Sequence, residues 1–141
     1  GAEHNVNANT ETYVCYYWAE VQGFSKFGGY TSNASLDGPF IYTGFKPAWC
    51  MIKRTDSGTN EWTIFNNKSD PDNEMISNIN ASTNDAESTA TDFDDIDFLS
   101  NGIKIREDND DINASAGSTY VYMAFAEQPF VTSSGVPATA R

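Results

Sequence analysis

Gly38-Pro39-Phe40-Ile41-Tyr42-Thr43-Gly44-Phe45-Lys46-Pro47-Ala48-Trp49-Cys50-Met51-Ile52-Lys53-Arg54 is the stretch that decides the fold class. Two apolar runs, Phe40 to Phe45 and Ala48 to Ile52, lie on either side of Lys46-Pro47. Proline lacks a backbone donor and fixes φ, so neither a continuous helix nor one unbroken central strand is expected through Pro47. Both runs are short and rich in aromatic and β-branched residues, as buried strands are. Gly38-Pro39 and Gly44 punctuate the first run, and Asp56-Ser57-Gly58 closes the second. The stretch predicts two core strands of an all-β domain joined by a bend at Lys46-Pro47. It is scaffold, with no group suited to chemistry.

Downstream, Glu61 to Phe65 reads as a short strand in which Trp62 and Ile64 share a face. Asp95 to Leu99 and Ile103 to Arg106 read as a hairpin. Its Asn101-Gly102 is the signature of a type I′ turn, with φ > 0 expected at both residues. Thr119 to Glu127 is the last strand, ended by Gln128-Pro129. Between them, residues 66–92 are crowded with Asn, Ser, Thr and Asp, which compete for backbone hydrogen bonds. An ordered loop draped over the domain is expected there, anchored by Met75, Ile76 and Ile79. Upstream, Gly23 to Tyr30 is a glycine-punctuated aromatic segment. Thr12 to Val21 is a long strand-like run with apolar groups on both faces. The architecture expected is an antiparallel β-sandwich, jelly-roll-like, with one long irregular loop. Its core is assigned to Phe40–Phe45, Ala48–Ile52, Trp62–Phe65, Ile103–Ile105 and Thr119–Phe125.

A repeat links the two ends of the chain. Val6-Asn7-Ala8 followed by Thr12-Tyr13-Val14 and Trp18-Ala19-Glu20 matches Ile112-Asn113-Ala114 followed by Thr119-Tyr120-Val121 and Phe125-Ala126-Glu127, at an offset of 106 and then 107 residues. The chain therefore reads as a lead-in over 1–22 resembling the closing strand of a preceding module, a β-sandwich module over 23–132, and a polar tail over 133–141. The surplus strand, with Tyr13, Val14, Tyr16, Tyr17 and Trp18, is a candidate for assembly. An apolar strand needs a partner, either within its own domain or on a neighbour's sheet.

Twenty acidic against eight basic residues give a formal charge of −12. Binding to nucleic acid through phosphate contacts needs a basic footprint and is disfavoured, as is attraction to an anionic membrane. No apolar run is long enough for a transmembrane helix, and the first residues lack the layout of a signal peptide. Cys15 and Cys50 sit inside strand-like runs, and both are expected to be small buried hydrophobes.

No catalytic residue, cofactor site or metal site is assigned. The single histidine, His4, lies in the polar lead-in, and one histidine with two buried cysteines does not make a closed zinc site. Phosphate-cradling glycine motifs are lacking. Asp108-Asn109-Asp110-Asp111 offers hard oxygens but neither the glycine nor the distal glutamate of an EF-hand loop, so an ordinary acidic turn is the favoured reading over calcium binding. Tyr30, Trp49 and Trp62 are candidate stacking platforms for host cell-surface glycans, set against the commoner fate of core packing.

The order and spacing of Gly23-Phe24-Ser25-Lys26-Phe27-Gly28-Gly29-Tyr30, of the stretch from Gly38 to Arg54, of Asp97-Phe98-Leu99-Ser100-Asn101-Gly102-Ile103-Lys104-Ile105-Arg106, and of Ile112 to Phe130 are specific. Together they resemble a β-rich domain of uncharacterised function that recurs, often in tandem, in tail-fibre and other virion proteins of marine tailed phages, including phages of cyanobacteria. The resemblance covers about Gly23 to Phe130. It implies a structural or adhesion module in a virion or extracellular fibre, homo-oligomeric and without enzymatic activity, and it transfers no catalytic residue.

Overall fold

The two runs on either side of Lys46-Pro47 become strands, but strands of different sheets. Phe40–Tyr42 (β2) lies in one sheet and Pro47–Arg54 (β3) in the other. The first run ends at Tyr42 rather than Phe45 because Gly44 takes φ +82°, a left-handed conformation that breaks the strand. Phe45 is nonetheless buried in the core. The bend thus spans Thr43 to Lys46, and Pro47 opens β3, where a missing N–H is tolerated. The ladder between β3 and the last strand shifts register between Pro47 and Trp49 and is regular from there on.

The computed structural model describes residues 8–89, 96–131 and 136. The remaining strands are Ser25–Thr31 (β1), Trp62–Asn66 (β4), Ile79–Asn80 (β5), Ile96–Leu99 (β6), Gly102–Ile105 (β7) and Thr119–Ala126 (β8). Two sheets result, one ordered β1-β8-β3-β4-β5 and one ordered β2-β7-β6, antiparallel throughout. The described residues form no helix. The pairing of β1 with β8 and β2 with β7 folds the chain back on itself, as a jelly roll does. The order departs from a full jelly roll at β6, which stays beside β7.

The core lies between the sheets and follows the period of two. Cys50 and Ile52 of β3, Thr63 and Phe65 of β4, and Tyr120, Tyr122 and Ala124 of β8 face Ile41, Ile96, Phe98, Ile103 and Ile105 of the smaller sheet. On β4 the shared face of Trp62 and Ile64 is therefore the outward one. β1 pairs with β8 along its whole length although Gly28 and Gly29 interrupt its pattern. A Cβ at Gly28 would lie 3.0 Å from the Tyr122 ring, so the glycine makes room for a core tyrosine. The long loop is largely irregular, as expected. Met75 is its buried anchor, bridged to Ile96, Ile76 is partly buried, and Ile79 is exposed on the two-residue edge strand β5.

Three expectations need correction. The β6–β7 hairpin exists, but Ser100 and Asn101 form its turn and Gly102 pairs with Leu99 inside β7. Neither Asn101 nor Gly102 has a positive φ. Glycine is required there for a different reason: a Cβ at Gly102 would sit 2.3 Å from the Ile41 carbonyl oxygen. Thr12 to Glu20 belongs to no strand, because no described strand runs alongside it, and residues 11–20 are all exposed. Cys15 is accordingly exposed, whereas Cys50 is buried.

Gly102→Ala should therefore destabilise the protein by about 2 kcal/mol or more, since β2 must move away from β7 to admit the methyl group. Asn101→Ala should cost about 0.5 kcal/mol or less. Equal losses in the two variants, read from denaturant midpoints, would contradict the close-approach account.

Candidate functional site

One end of the sandwich is closed by a buried polar knot built on Ile112-Asn113-Ala114, the connection leading into β8. Asn113 is wholly buried, and its carboxamide is fully used. Nδ2 donates to Asn33 Oδ1 at 3.1 Å, Ser35 O at 2.8 Å and Glu107 O at 2.9 Å, and Oδ1 accepts from the Asn33 amide at 3.0 Å. The Tyr120 hydroxyl accepts from the Ala114 amide at 2.8 Å and donates to Asp110 O at 2.9 Å. Tyr30 stacks on Tyr120 with ring centroids 5.0 Å apart, and its hydroxyl donates to Ile112 O. The knot joins the β1–β2, β7–β8 and β8 segments, so it is structural.

The acidic turn belongs to this end as well. Asp111 Oδ1 accepts from Asn60 Nδ2 at 3.0 Å and from the Glu61 amide at 3.2 Å, and Arg54 reaches Asp110 at 3.5 Å and Ser118 Oγ at 2.9 Å. These oxygens hold neighbouring loops to the β8 connection. Among the described residues no three His, Cys, Asp or Glu side chains come together as a metal site. His4 lies outside the described residues.

The candidate glycan platforms do not share one surface. Trp49 and Trp62 project from the outer face of the larger sheet, alternating with buried Cys50 and Thr63. They are offset by four residues along the strands, about 13 Å. Trp49 leans against Phe125 with centroids 5.6 Å apart, and Trp62, 39 % exposed, borders a shallow apolar depression with Phe27, Met51, Val121 and Met123. Tyr30 lies on the opposite face, stacked on the core.

The candidate assembly residues are all exposed and lie in one short stretch of chain. Val14, Tyr16, Tyr17 and Trp18 are 79, 73, 88 and 56 % exposed, and Tyr13 is also exposed. Tyr16 and Trp18 stack on each other with centroids 6.0 Å apart. Behind them, the chain turns sharply into β1. The Phe24 and Ser25 amides donate to Val21 O at 2.9 Å, Ser25 Oγ donates to Ala19 O at 2.9 Å, and Lys26 pairs with Glu20 at 2.7 Å. So many large apolar side chains exposed together exceed the single scattered ones that an ordinary surface carries.

The chain belongs to the family described as a domain of unknown function, DUF7483, which matches residues 1–129. The matched span takes in the exposed segment as well as the sandwich. No curated protein and no solved structure is matched.

The two cysteines should be chemically distinct. Burial pushes the Cys50 thiol far above its ordinary pKa, which removes the reactive thiolate. In the native chain Cys15 should react with a thiol reagent and Cys50 only after denaturation. Two reactive thiols in the folded protein would contradict the placement of β3 in the core.

Proposed function

We propose that this chain is a non-enzymatic structural or adhesion module that assembles with its own kind through the segment Thr12 to Glu20. The observation that carries the reading is the run of exposed Tyr13, Val14, Tyr16, Tyr17 and Trp18 on a chain whose polar connections are otherwise spent on holding the sandwich together. Strand addition suits such a segment, because backbone groups supply affinity and alternate side chains supply fit. The charge of −12 suits a protein that must present apolar surface without collapsing nonspecifically. The resemblance to repeated domains of phage tail fibres supports a virion or extracellular fibre as the setting and a homo-oligomer as the form.

A second reading, recognition of host surface glycans, is favoured by the outward placement of Trp49 and Trp62. It ranks lower because the two rings are offset and Trp49 is partly covered by Phe125.

Deleting residues 1–20 tests the first reading. Light scattering should show self-association of the full chain at micromolar concentration and a folded monomer after the deletion. A truncated protein that associates as before, or that no longer folds, would overturn it. On a glycan array, binding retained after the deletion and lost in Trp62→Ala would favour the second reading.

A further inference from the structure

We propose that Ala8 to Glu20 is the eighth strand of another module of this same kind, shaped to fill the slot between that module's β1 and β3. The proposal rests on the reading of this chain as a structural module and gives the segment a partner in the same polypeptide rather than in a second copy. It stands on a local fold that occurs twice in the chain.

At the C-terminal copy, Ser115 to Ser118 make a tight turn, the Ser118 amide donating to Ser115 O at 3.1 Å, with Gly117 at φ +95°. At the N-terminal copy, Ala8 to Glu11 make the same turn, the Glu11 amide contacting Ala8 O at 3.5 Å, with Thr10 at φ +72°. Thr10 and Gly117 are 107 residues apart, the offset of the sequence repeat. The clasp that follows is repeated too. The Tyr13 hydroxyl accepts from the Ala8 amide, five residues back, at 2.8 Å, and the Tyr120 hydroxyl accepts from the Ala114 amide, six residues back, at 2.8 Å, the one-residue difference matching the gap in the repeat between Ala8 and Thr12. The N-terminal segment therefore carries an entry turn and tyrosine clasp like those of β8, yet runs beside no described strand of its own module.

The side chains fit that role. By the same offset Tyr13, Cys15 and Tyr17 correspond to Tyr120, Tyr122 and Ala124, the three core-facing residues of β8. Each set holds two tyrosines and one small residue, with the second tyrosine moved two positions along the same face. Core volume is thus nearly conserved, and cores tolerate such redistribution when neighbours are complementary. In the slot Tyr13 would lie across from Tyr30 and Arg54 of the neighbouring module, Cys15 across from its Gly28 and Ile52, and Tyr17 across from its Lys26 and Cys50, following the β8 register. The slot in a complete module is taken by its own β8, so the occupant belongs to a module arranged in tandem directly ahead of Ala8. Only Val21 to Phe24 then separate one module's last strand from the next module's first. The Val21–Ser25 bridge and the Glu20–Lys26 pair lie at this junction.

A tandem protein in which residues 21–113 are joined directly ahead of residues 8–141 tests this, with Cys15 as reporter. Relative to the single chain, alkylation of Cys15 should slow by about 100-fold or more, as its local opening becomes tied to unfolding of a sheet. Trp18 emission should shift to the blue. Because Ala124 is fully buried, a Tyr17→Ala tandem supplies a version whose strand matches β8 at that position. Protection in either tandem supports the proposal. Cys15 reacting at the single-chain rate in both overturns it, as does alkylation of the first module's Cys50 in both, which would mean that module has not closed. Protection of Cys15 already in the monomeric single chain overturns it too, since the strand would then pair at home. Self-association is not read here, so loss of the assembly reading and loss of this one are separable.

Discussion

The constraint on which the rest of the structure depends is the satisfaction of one buried carboxamide. Asn113 has no exposed surface, and among the described residues its side-chain partners come from loops that must enclose that end of the sandwich: Asn33 and Ser35 after β1, and Glu107 after β7. A buried amide left without partners costs more than a made hydrogen bond contributes, so these loops close together or not at all. Tyr120 extends the same logic into β8, because its hydroxyl is held by Ala114 and Asp110 while its ring stacks on Tyr30. The two sheets are thereby fastened where their connections cross. Asn113 and Tyr120 are thus held among buried Ile112 and Ala114 by bonds that satisfy their polar atoms.

Much of the scaffold was legible from alternation and punctuation. β3, β4, the β6–β7 hairpin and β8 each show a period of two or a short apolar run bounded by turn residues, and all form near their expected limits. What was not legible depended on contacts between distant residues. β1 was hidden because Gly28-Gly29 looks like a strand breaker until Tyr122 is seen to need the space. Asn101-Gly102 has the composition of a type I′ turn, but Gly102 is fixed by the approach of Ile41 from β2, which no local pattern reports. Of the candidate site residues, alternation could have separated Tyr30 from Trp49 and Trp62 only with the strand pairings known.

The segment from Thr12 to Glu20 is strand-like in sequence but unpaired among the described strands. Its composition is that of a buried strand, yet it lies exposed, because strand propensity describes fitness for a half-buried pleated surface and does not create that surface. A sheet needs a slot as well as a strand. Here the strand sequence occurs twice and the slot once, and β8 occupies it. Cys15 follows the segment to the surface, while Cys50, in β3, is enclosed from both sides by β4 and β8. The same chain therefore carries a stretch of exposed apolar side chains outside its core.

Hydrogen exchange on the monomeric chain, held dilute enough to prevent association, tests this division most directly. The amides of Tyr120 to Ala126 should exchange only through global unfolding, and those of Val14 to Trp18 at close to the rate of an unstructured peptide. Strong protection across Val14 to Trp18 in the monomer would contradict the account, for it would place a second partner for that strand within the module itself.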